Sequence, residues 1–152
     1  MSAHYDLMPL SSGWAEPKNR RRLEDMGLAM PGDWKVSRNP TAFEVRSVVQ
    51  QFAEGSQINV EGNFHVAGDD LDAILATGED STFLSVEDYA KDGNENMPRH
   101  ISFLYGAAEL VLMVCERLAQ ICGPFLLTMD GAFFVIVNAG TSPDADWVSA
   151  DF

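Results

Sequence analysis

Acid–base chemistry needs a group that titrates near neutral pH beside a carboxylate, and His65, Asp69 and Asp70 come nearest to that in this chain. If the chain is an enzyme, its small-molecule cleft is expected there. His4 and His100 are far away in sequence. H-E-x-x-H, the nucleophile elbow G-x-S-x-G and the phosphate-cradling glycine motifs do not occur. Asp69-Asp70-Leu71-Asp72 supplies three carboxylates, but a calcium loop needs a ligand at every second position and a closing Glu. Acids at this spacing suit the first turn of a helix, where free N–H groups and the dipole favour negative charge. Cys115 and Cys122 sit seven apart in one expected helix, about 10 Å between Cα atoms, beyond the reach of a disulfide. Both read as small apolar core residues. No catalytic residue, metal or cofactor is assigned.

Charge is more informative. The chain has 152 residues and a formal net charge of −13. Residues 1–46 carry seven basic and six acidic groups, and residues 47–152 carry three basic and seventeen acidic ones. Nine acids fall in one stretch: Asp69, Asp70, Asp72, Glu79, Asp80, Glu87, Asp88, Asp92 and Glu95, with Lys91 as the lone base. Such a surface repels nucleic acid and anionic lipid and steers basic protein surfaces toward it. Phe83 and Tyr89 lie within the stretch and are the candidate apolar anchors. The basic cluster Lys18-Asn19-Arg20-Arg21-Arg22 is too small to bind a polyanion against this background.

The elements that must position these residues follow from periodicity. Pro17 opens a short helix and Gly27 lies past its end. Trp34 to Ser37 suggests a strand. Asn39-Pro40 is a helix start for Phe43–Glu54, whose Val45, Val48, Val49 and Phe52 share a face. Residues 58–66 alternate as a half-wet strand, or as a hairpin turning at Gly62-Asn63. Leu71, Ile74 and Leu75 suggest a short helix begun by Gly68-Asp69-Asp70, and Thr82 to Val86 a strand. Ser85-Val86-Glu87-Asp88 looks like a further helix start. A long, mostly apolar helix is expected over 98–121. Asp130-Gly131 then joins two apolar runs as a hairpin, with Met129 opposite Ala132 and Thr128 opposite Phe133.

The fold class is α+β: a single domain over 1–137, with an antiparallel sheet and its C-terminal hairpin packed on the long helix. Residues 1–13 read as an extended arm and 138–152 as an acidic, flexible tail with Trp147 and Phe152 among acids. Met1 to Leu10 is short and mixed, unlike a signal peptide, and a cytoplasmic location is expected. The function expected is that of a small acidic binding protein, comparable in character to bacterial immunity proteins. It would neutralise a toxic effector by covering a basic functional site, with no nucleic acid or membrane partner. The alternatives are an acidic homodimer acting as an effector-secretion chaperone, and the enzyme with its cleft at His65, Asp69 and Asp70.

Overall fold

The computed structural model describes residues 3–149. Its strands are β1 (His4–Pro9), β2 (Asn59–Ala67), β3 (Asp70–Thr77), β4 (Asp80–Val86), β5 (Ile101–Leu104), β6 (Phe125–Met129), β7 (Phe133–Val137) and β8 (Val148–Ser149). Three α-helices accompany them: α1 (Pro17–Asp25), α2 (Ala42–Glu54) and α3 (Ala108–Cys122). All eight strands form one antiparallel sheet in the order β2-β3-β4-β5-β1-β6-β7-β8, so the α+β architecture is as expected.

Several elements differ from expectation, each for a physical reason. The N-terminal arm is extended but central: β1 pairs with β5 on one side and β6 on the other, burying Tyr5 and Leu7. Residues 70–77 form a strand and not a helix. Leu71, Ala73 and Leu75 all face the core, and the short apolar run satisfied both periodicities. The long helix begins only at Ala108, because Ile101–Leu104 fills the slot between β4 and β1. Tyr105 and Gly106 then take positive φ values of 46° and 99°, which no helix continues through. Trp34–Val36 is a single 3-10 turn, and Ser85 to Asp88 ends β4 and enters another at Tyr89–Lys91.

Residues 58–66 do not turn back at Gly62. They belong to one strand in which residues 62–64 bulge opposite Ala73 alone. The Asp130-Gly131 hairpin exists with its register one residue out. Ala132 joins the loop, so Met129 faces Phe133 and Thr128 faces Phe134. Residues 138–149 return along the sheet: Val148 and Ser149 pair with β7, and the Trp147 ring sits 6.1 Å from that of Tyr5. Phe152 and the last two residues before it lie outside the described residues.

The sheet has two unlike faces. Helices α2 and α3 cover one, where Val45, Val48, Phe52, Leu110, Val114 and Leu118 meet Leu7, Leu75, Leu84, Phe103 and Leu127. Each such buried side chain is worth about 1.5–3 kcal/mol of transfer free energy. On the other face α1 and the loop after it seal only the β1–β6–β7 end, through Leu10, Leu23, Leu126 and Phe134. Arg20 of the basic cluster stacks over Trp34 there. Among the described residues no helix is long and apolar enough to cross a membrane.

Thr41, not Asn39, caps α2. Its hydroxyl accepts the Glu44 N–H at 3.1 Å, and Glu44 accepts the Thr41 N–H at 3.0 Å. Arg38 clamps the same carboxylate through both guanidinium arms, at 2.7 and 2.8 Å. Those bonds above all, with the Thr41 N–H helping, hold the Glu44 carboxyl down from 4.5 to about 2. A depressed carboxylate stabilises the fold above its unfolded value and loses that contribution as pH falls from about 4.5 toward 2. The Arg38 side faces solvent, which screens the pair, so about 1–2 kcal/mol is expected. Glu44→Gln should flatten this acid limb in urea titrations at pH 2, 3, 4 and 6. An unchanged limb would show that the clamp is not formed.

Candidate functional site

A polar residue set between core-facing neighbours in a strand points to the opposite face, and five strands carry one at matched register. Asp6 lies between Tyr5 and Leu7, Asp72 between Leu71 and Ala73, and Ser85 between Leu84 and Val86. Ser102 lies between Ile101 and Phe103, and Thr128 between Leu127 and Met129. Pairing sets Asp72 opposite Ser85, Ser85 opposite Ser102, Ser102 opposite Asp6 and Asp6 opposite Thr128; His65 stands opposite Asp72 at the sheet edge. Six strands are thus crossed by one polar row about 24 Å long.

The row is internally bonded. Ser85 Oγ donates to Asp72 Oδ1 at 2.8 Å. His100 Nε2 lies 2.9 Å from Asp6 Oδ1, and His4 Nδ1 3.7 Å from Asp6 Oδ2. The short side chains are recessed, with Asp72, Ser85 and Ser102 only 5, 8 and 6% exposed. Three histidines scattered in sequence therefore belong to one face.

The next row toward the β3–β4 turn is apolar. Ile74 opposes Phe83, and Phe83 opposes Leu104. Leu104 is 42% exposed and the other two are half-buried. Over β2 to β5 no helix covers this face among the described residues. None of the eight strands contains Lys or Arg. An apolar ridge beside fixed carboxylates can receive the stem of a lysine or arginine on the ring and its charge on the acid.

No protein family, curated protein or solved structure matches the chain.

The acids singled out from sequence do not form one patch. Asp69, Asp70, Glu87 and Asp88 gather at one end of the β3–β4 hairpin, and Glu79 and Asp80 at its turn, about 23 Å away along the strand. Several are bound internally. Asp70 Oδ1 accepts the Asp88 N–H at 3.1 Å, and Lys91 Nζ is 3.2 Å from Asp88 Oδ1. Buried Arg99 donates to the Asp88 carbonyl at 2.7 Å and to the Asp92 carboxylate. The Asn94 N–H, and then the Arg99 charge, hold the Asp92 carboxyl below its usual range. Tyr89 donates to Glu95 at 2.6 Å, and Arg46 Nε is 3.3 Å from the same carboxylate. Tyr89, Asp92 and Glu95 thus close the 87–98 loop on the helix side. Asp72 and Phe83 lie on the open face, and the remaining acids rim its two ends.

His65 stands opposite Asp72, and Asp70, whose carboxylate accepts the Asp88 N–H, stands opposite Ala67; the Asp69 carbonyl accepts the Ala90 N–H at 2.9 Å. Among the described residues no group of three or more His, Cys, Asp or Glu side chains is arranged to hold a metal ion. Cys115 and Cys122 are free and buried; burial pushes both thiols up, Cys122 to about 12. Sequence reading missed the polar row because its members are spread from position 6 to 128. The signal was there: a lone polar residue inside each apolar run.

Proposed function

We propose that this chain is a small acidic binding protein that covers a basic functional site on a partner protein, in the manner of a cytoplasmic immunity protein neutralising a toxic effector. The observation that carries the reading is the open half-sheet, where the Ile74–Phe83–Leu104 ridge lies beside the Asp6–Asp72 row with no Lys or Arg in any strand. Interfaces draw most of their affinity from a few buried aromatic and apolar anchors, with polar groups around them excluding water. Phe83 is the central anchor, Asp72 and Asp6 receive cationic side chains, and Glu79, Asp80, Asp69, Asp70, Glu87 and Asp88 steer approach from the two rims.

Co-expression with the product of the neighbouring gene tests this. The neighbour alone should be toxic, and the pair should co-purify with an association that weakens steeply as salt rises. A harmless neighbour, with no protein retained at low salt, would sink the proposal.

A further inference from the structure

Strand β2 closes one edge of the sheet and, at nine residues, is its longest strand. The strand at the other edge, β8, has two residues among those described. An edge strand presents a row of unpaired N–H and C=O groups, which proteins usually blunt with Lys, Pro, brevity or a bulge. β2 has no Lys, Arg or Pro; what blunts it among the described residues is the bulge at 62–64 and the charge of Glu61. Val66 stands 54% exposed on it.

Alongside the edge, on the helix side, α2 and β2 leave a groove of about 340 Å³ walled by Val49, Ala53, Val60 and Phe64. The Arg46 guanidinium lies 5.0 Å over the Phe64 ring and is itself paired with Glu95. Recognition by strand addition has two requirements, free backbone groups along an edge and a pocket beside it for alternate side chains. Both are met here.

We propose that β2 and the α2–β2 groove capture an extended segment of a partner protein, which adds as a ninth strand and drops an apolar side chain into the groove. Charge selects the segment. Glu61 lies on β2 itself, Glu54 follows Ala53 of the groove wall, and Arg46 is the one Lys or Arg among the groove's lining residues. Pairing with a second copy would bring Glu61 and a −13 chain against their like. The residues alternating with the anchor are therefore Lys or Arg. The site is separate from the Phe83 ridge, which lies on the opposite face of the sheet.

Three labelled nonapeptides test the site on the full chain by fluorescence anisotropy and amide NMR: alternating Lys-Val, alternating Glu-Val, and Lys-Val with a central proline. The Lys-Val peptide should bind and shift amides of β2 and α2. Val66→Lys and Ala53→Trp should each weaken it by about tenfold with melting unchanged, while Phe83→Glu leaves it untouched. Equal binding of the acidic or proline-interrupted peptide, shifts confined to β3–β5, no binding at all, or self-association through β2 would each overturn the proposal. Loss of this binding alone would leave the open-face reading standing.

Discussion

Replacing Gly106 by alanine should remove about 2–5 kcal/mol of stability, the largest single-methyl effect expected in the molecule. Gly106 has φ +99°, and a Cβ built on it would stand 2.2 Å from the Ser81 carbonyl oxygen and 3.1 Å from the Ser81 carbonyl carbon. Those atoms are backbone of β4, held in the ladder to β3 and β5, and cannot swing aside as a side chain would. The junction is tied further by Tyr5, whose hydroxyl donates to the Gly106 carbonyl at 3.0 Å, and by Thr82, whose hydroxyl reaches the Tyr105 carbonyl at 2.9 Å. Backbone strain contributes about 1–2 kcal/mol and overpacking about 1–3. For a chain of this size the melting temperature should fall by about 5–15 °C. Gly131→Ala is the matched control: φ is +67° but nothing lies within 4 Å, so only the strain applies. Calorimetry that found the two variants equal would show that β5 does not leave the sheet against Ser81.

Phe83→Glu should weaken partner binding by about 30- to 1000-fold, the range of a central hot spot, while leaving the fold intact. The ring is half-exposed, so its loss opens no core cavity; the new carboxylate would stand beside Asp72, where the proposal puts a cation. Glu79→Lys with Asp80→Lys should behave differently. Rim charges act on encounter, so the association rate and its salt dependence should change by about tenfold or less, with dissociation little altered. Surface plasmon resonance against the co-purified partner separates the two. Full binding by Phe83→Glu, with loss on reversing Asp88 and Asp92, would move the interface to the 87–98 loop.

How much of this was legible in the sequence depended on how local its causes were. Helix α2, the span of α1 and the Asp-Gly hairpin were readable because periodicity, proline and turn chemistry act over a few residues. Residues 70–77 and 101–104 were misread because a short, mostly apolar run fits a helix and a buried strand alike. What decided them was the presence of partners on both sides, and those come from sequence positions as distant as β1. The candidate face shows the same limit. Asp72 and Phe83 were picked out for their types, but their neighbours Asp6, Ser102 and Leu104 reach them only through the strand order. The acidic run looked continuous in sequence, whereas the hairpin gathers Asp69, Asp70, Glu87 and Asp88 at one end and carries Glu79 and Asp80 to the other.

The place of β1 also sets the order in which the chain can fold. Its partners are Ile101–Leu104 and Phe125–Met129, roughly a hundred residues downstream, and it alone stands between the β2–β5 meander and the β6–β8 group. On the ribosome, this strand must wait unpaired until β5 and β6 have emerged. Contacts so distant in sequence make closure slow. Insertion of β1 is then a late step of folding, a seam between two groups of strands that share no ladder without it.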